Sequence, residues 1–190
     1  MKSRIFFVAA FILAIANCLT AQSYDFRKAN WGMDSTQVKK AEKSKLVLSK
    51  QNCLIYNGKL GDWDTNIDYY FTRSNQLFHA AYFISIDSQN PQSFVNAFLL
   101  LQELLTINYK NPYNKKFSTI NGKVITEDDW ASNLISDNLN LETSWRTDKT
   151  DIVLSLFSLN DKLYLEINYT SIGSDNIIKE EQKKEILKDL

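Results

Sequence analysis

One histidine and two cysteines leave this chain with almost none of the side chains from which zinc sites are built. His79 stands alone, the usual His-rich and Cys-rich ligand spacings are absent, and no metal is expected. Five glycines and two prolines are too few for a disordered chain or a glycine-rich phosphate loop. No G-x-S-x-G, H-E-x-x-H or P-loop occurs. A basic excess is also missing. With 22 basic against 22 acidic residues, nothing is available to condense on a phosphate backbone, and nucleic acid is excluded as an expected partner. These gaps remove the standard enzyme classes and leave no cofactor implied.

What the chain does have begins with MKSRIFFVAAFILAIANCLTAQ. Lys2 and Arg4 precede an unbroken apolar run from Ile5 to Ala16, too short to span a bilayer as a mature helix. Residues 1–21 are therefore expected to be a secretory signal cleaved after Ala21, which leaves 20 basic against 22 acidic residues. The alternative is a lipid anchor through Cys18, for which Asn17 stands where Gly or Ala is expected. The expected destination is the periplasm or the exterior, with no integral membrane segment once the signal is gone. Cys53 is then the only cysteine left, so no internal disulfide can form. In the run CLIY it reads as a small buried hydrophobe rather than a nucleophile.

Residues 22–190 read as one domain of two similar halves, about 31–87 and 91–172, followed by a C-terminal helix over 174–190. The organising stretch is Thr65–Asp87, two alternating strands joined at Ser74-Asn75. A similar pattern returns over Thr150–Ser171. The offset is 85 through Asn75 and Asn160, and one extra turn residue makes it 86, which sets Leu77 against Leu163 and Phe83 against Tyr169. Within the first hairpin, Ile67, Tyr69 and Phe71 share one face with Phe78, Ala80, Tyr82, Ile84 and Ile86, while Asp68, Tyr70, Leu77, His79, Ala81 and Phe83 share the other.

Around the hairpins, Asp34 or Ser35 starts a short helix reaching about Lys45, and 53–60 is a strand. Pro91 starts a long helix whose Phe94, Phe98, Leu101, Leu105 and Ile107 face the core. Asn121-Gly122 suggests a hairpin over 117–126. Glu127-Asp128-Asp129 after Thr126 suits a helix start better than a metal loop, and Trp130 and Leu134 follow on that helix. The predicted fold is α+β: an antiparallel sheet of six strands or more, helices on one face, and an imperfect tandem α-β-β-β duplication.

Candidate site residues come from the solvent-side strand face. Asp68, Tyr70, His79 and Phe83 of the first hairpin would lie beside Tyr164, Glu166 and Asn168 of the second. Aromatics interleaved with polar groups suit a protein-binding surface. An ordinary solvated sheet, or one covered by 111–137, is the alternative. No catalytic residue is assigned.

The Trp31-Gly32-Met33 helix opening resembles that of small bacterial envelope modules, among them the small lipoprotein of the outer-membrane β-barrel assembly machinery and the β-lactamase inhibitor proteins. With Phe26-Arg27 it also resembles the F-R-x-x-x-W-G-M-like opening of a group of uncharacterised secreted bacterial proteins. The resemblance implies helices packed on one face of an antiparallel sheet, and carries over no functional residue. The chain departs from the pattern by its segment 111–137 and by lacking the lipid-anchor signature. The expectation that follows is an exported, non-enzymatic binding module contacting another protein or envelope component. Its alternatives are an apolar-ligand carrier with a pocket between the long helix and the sheet, and a hydrolase using Asp62, Asp64 or His79.

Overall fold

The computed structural model describes residues 24–119 and 125–189; the expected signal, Cys18 and the Asn121-Gly122 turn lie outside them. The fold is α+β. Eight strands form one antiparallel sheet in the order β1-β2-β3-β4-β8-β7-β6-β5. They are β1 (Lys45–Lys50), β2 (Cys53–Leu60), β3 (Trp63–Phe71), β4 (Leu77–Ile84), β5 (Asn114–Thr119), β6 (Leu139–Arg146), β7 (Thr150–Leu159) and β8 (Lys162–Ser171). The helices are α1 (Ser35–Ala41), α2 (Pro91–Tyr109), α3 (Trp130–Ile135) and α4 (Ser174–Asp189).

The two hairpins meet at the middle of the sheet, where β4 pairs with β8 in register Ala81↔Asn168 and Phe83↔Glu166. Ile67, Tyr69 and Phe71 of β3 and Ile152, Leu154 and Leu156 of β7 all enter the core, so the first arms correspond face for face. The second arms do not follow the offset of 86. Tyr169 is a core residue, whereas Phe83 pairs with Glu166 away from the core. A bulge opposite Tyr70/Phe71 produces a second departure. It turns Leu77 inward at 2% exposure and leaves Phe78 only half-buried, the reverse of strict alternation.

Helix α2 lies against β6, β7 and β8, with α3 beside it. Val95, Phe98, Leu101 and Leu105 of α2 and Trp130 and Leu134 of α3 fill this layer. Ile107 does not join them; it is 73% exposed. Nine residues beyond Phe98, at about 100° per residue, it falls on the opposite side of the helix. Over β2–β4 the covering layer is instead the N-terminal segment, with Phe26, Ala29 and Val38 buried in the same core.

The Trp31-Gly32-Met33 opening is a clamp. Gly32 has φ +84, a conformation that favours glycine, and its N–H donates to the Leu77 carbonyl at 2.8 Å. The Leu77 N–H returns a bond to the Met33 carbonyl at 2.8 Å, and the Trp31 indole donates to Thr150 Oγ1 at 2.9 Å. The motif therefore ties the N-terminal segment to both hairpins. Asp34 then caps α1 through a capping box with Gln37. That helix stops at Ala41, short of Lys45, because Glu42 turns away in extended conformation to accept other bonds.

Two further strands close the edges of the sheet. Strand β1 carries no buried residue and so has no alternation to betray it. Strand β5, the first arm of the expected 117–126 hairpin, pairs with β6. The acidic triplet Glu127–Asp129 forms a 3₁₀ turn leading into α3, in line with a helix start. The C-terminal α4 is held at the β3–β4 turn, where Glu181 accepts the Arg73 and Ser74 N–H groups at 2.9 and 3.1 Å and Arg73 pairs with Glu185 at 2.8 Å. Among the described residues no helix is long and apolar enough to cross a membrane.

Candidate functional site

Strand alternation and the β4–β8 pairing bring the seven candidate residues onto one continuous face, opposite α2 and α3. Three cross-strand rows organise it. Tyr70, His79 and Thr170 form one, Asp68, Ala81 and Asn168 the next, and Asn66, Phe83 and Glu166 the third. Tyr164 extends the face along β8 and stacks on Phe157 of β7, ring centroids 5.6 Å apart and 17° between planes. Tyr164 is exposed at 38%, while Tyr70, His79, Phe83, Glu166 and Asn168 are half-buried. Phe83 and Tyr164 also line a groove of about 410 Å³ with Asn66, Ile86 and Leu163.

Asp68 is the unusual member, at 5% exposure. The Tyr70 hydroxyl donates to its Oδ2 at 3.0 Å, but Oδ1 is buried with no partner among the described residues. Two other buried polar atoms share that condition, Tyr56 Oη and Trp145 Nε1, but both are neutral groups on core residues. Burial pushes the Asp68 carboxyl up, and the Tyr70 hydrogen bond only partly opposes it. Burial and then the Asp68 charge push the Tyr70 phenol up, and the same two causes raise the Cys53 thiol. Cys53 is buried, which fits a small hydrophobe and not a nucleophile.

His79 bonds through Nδ1 to Thr170 Oγ1 at 2.9 Å and lies 5.3 Å from the Tyr70 ring. Burial pushes its imidazole down, towards the neutral form. The Asn168 amide donates to Glu166 Oε1 at 2.8 Å. Among the described residues no three His, Cys, Asp or Glu side chains are placed to hold a metal ion.

A raised carboxyl fixes the sign of a pH effect. Whatever stability is linked to Asp68 is fully present below its unfolded pKa and is lost as pH rises through the folded one. Asp68→Asn removes the buried charge and keeps the volume. It is expected to raise stability at pH 7 by removing a desolvated charge, and to have little effect near pH 3, where the carboxyl is already neutral. Urea unfolding at the two pH values checks this; a variant less stable at pH 7 contradicts it.

The hydrolase residues do not converge. Asp64 pairs with Lys59 at 3.0 Å on the β2–β3 hairpin, and its carbonyl accepts the Ser85 N–H. His79 lies six residues from Ser85 along the chain, roughly 20 Å at about 3.3 Å per residue. For the carrier expectation, the α2–sheet interface is filled by buried side chains. A groove of about 610 Å³ touches Phe94 beyond that interface, lined by Ile135, Leu163, Asp161 and Lys162, and is a surface feature rather than an enclosed chamber.

Sequence alternation found the face, Ala81 included, but missed Thr170 and the Phe157 stack. Thr170 is placed by the β4–β8 register, which joins strands distant in sequence, and Phe157 by the register of the β7–β8 hairpin. No protein-family model, curated protein or solved structure matches the chain.

Proposed function

We propose that the chain is an exported, non-enzymatic binding module that docks another protein of the cell envelope on its outer sheet face. The single observation that carries this reading is the convergence of Asp68, Tyr70, His79, Phe83, Tyr164, Glu166 and Asn168 on one face, with a groove between Phe83 and Tyr164. Rigid aromatic side chains set among hydrogen-bonding groups supply contact area at low entropic cost, and such residues dominate binding energy at interfaces. Export rests on the Lys2/Arg4 and Ile5–Ala16 pattern, and kinship with small envelope modules on the Trp31-Gly32-Met33 opening.

The test is a crosslinking pull-down from the envelope fraction with the intact chain and with Tyr70→Ala and Tyr164→Ala. Tyr164→Ala is expected to retain its unfolding midpoint within a few degrees, whereas Tyr70→Ala strips Asp68 of its hydrogen bond, lowers the midpoint and is assayed well below it. Each is expected to lose the enriched protein by about tenfold or more, as for interface aromatics. Recovery of the same partners by both variants would count against the reading.

A further inference from the structure

The charges on the outer face are unevenly matched. At one margin they are paired or opposed: Arg146 bonds Asp151 on β6–β7, and Lys116 sits across from Glu142 on β5–β6. At the other, Lys50 of β1 lies across from Cys53 in the row of Tyr70. At its centre stand two carboxylates, Asp68 and Glu166, and no ion pair is formed by either among the described residues. Asp68, 5% exposed, keeps Oδ1 without a partner. Glu166 spends one oxygen on the Asn168 amide. Ala81, the smallest outward-facing side chain of β4, separates Asp68 from Asn168 in the row, with the aromatic rings of Tyr70, His79 and Phe83 around it.

We propose that this cradle receives a lysine or arginine side chain of the docked protein, with Asp68 Oδ1 and the free oxygen of Glu166 accepting its N–H groups. The inference rests on the docking reading above and adds the chemistry of the partner. A cation supplies the donors that Asp68 lacks, and aromatic faces beside a carboxylate add a cation–π attraction. Because Oδ1 is buried in the free chain, seating the cation requires the side chains around Asp68 to shift, so the event is visible at Asp68 and its row neighbours.

The direct test is an NMR titration of the full chain with a capped Gly-Arg-Gly peptide and its uncharged citrulline counterpart. The arginine peptide is expected to give saturable shifts at Tyr70, His79, Ala81 and Asn168, and binding at least tenfold tighter than the citrulline peptide. Asp68→Asn is expected to erase that difference, and Glu166→Gln to reduce it, which keeps the test informative if one variant folds poorly. No saturable shift, shifts confined to another surface, or equal binding of the two peptides overturns the proposal. The envelope pull-down separates its failure from that of the docking reading. Partner capture lost in Tyr70→Ala and Tyr164→Ala but kept in Asp68→Asn leaves docking standing and removes the cation. Capture unaffected by all three removes both. Capture of a second copy of this chain in place of another protein also overturns the proposal.

Discussion

Replacing Glu42 by alanine is expected to lower the unfolding free energy by about 3–5 kcal/mol, the usual cost of removing one partner from a buried ion pair. Glu42 is 8% exposed. Its Oε2 accepts from Arg27 Nε at 2.8 Å and from the Tyr69 hydroxyl at 2.6 Å, and its Oε1 accepts the Lys43 and Ser44 N–H groups at 2.8 Å each. Deleting the carboxylate strands a half-buried guanidinium, a buried phenol and two backbone donors together. Burial works to raise this carboxyl, but the bonds from Tyr69 and Ser44 and the Arg27 charge outweigh it and hold it down at about 2, against an ordinary 4.5.

A depressed carboxyl contributes stability that is present above its unfolded value and lost as pH falls through the folded one. The window here runs from pH 4.5 down to about 2, and the linked contribution is about 3 kcal/mol. Denaturant unfolding at pH 7 and pH 2.5 checks both statements. Glu42→Gln should be destabilised at pH 7 and show a much weaker acid dependence than the parent chain. A parental acid profile in that variant would sink the assignment.

Phe26→Ala is expected to cost about 3–5 kcal/mol, as large-to-small changes at buried aromatics do. Phe26 is 3% exposed, and its ring lies 5.4, 5.0 and 4.9 Å from the rings of Tyr69, Tyr82 and Tyr169. Those three tyrosines come from β3, β4 and β8, so one side chain of the N-terminal segment joins the central strands of both hairpins. Phe26→Leu keeps most of the volume and is expected to cost less than about 1.5 kcal/mol. Thermal unfolding of the two variants decides it: equal, small losses would mean that the N-terminal segment is not part of the cooperative core. Phe26-Arg27 and Trp31-Gly32-Met33 are thus structural residues, one pair holding the aromatic core and the Glu42 network, the other clamping the hairpins.

Local patterns were readable in the sequence wherever short-range rules decide. Alternation placed Ile67, Tyr69 and Phe71 inward and Asp68 and Tyr70 outward, and the helical stripe of Phe98, Leu101 and Leu105 marked α2. The same rules failed where a distant partner decides. Phe78 and Leu77 exchange roles because a bulge forms against β3, and β5 pairs with β6, about twenty residues further along the chain. Exposed β1 carries no pattern to read. The candidate face was legible as a set of outward residues, since a period of two is enough to collect them. Its depth was not. Whether Asp68 is buried depends on the strands either side of β3 and on the β4–β8 junction, and no local signal encodes that junction. An unpartnered carboxylate at the centre of that face is a local inconsistency of the kind functional surfaces tolerate.

Site-specific photo-crosslinking tests the docking face most directly. A photoreactive side chain is placed at Tyr164 on the outer face in one sample, and at Leu104 on the solvent side of α2 in another, the latter 51% exposed and on the opposite side of the sheet. After irradiation with the envelope fraction, the account expects a discrete adduct from position 164 and none from 104. An adduct from position 104 alone, or the same adduct from both, would contradict it.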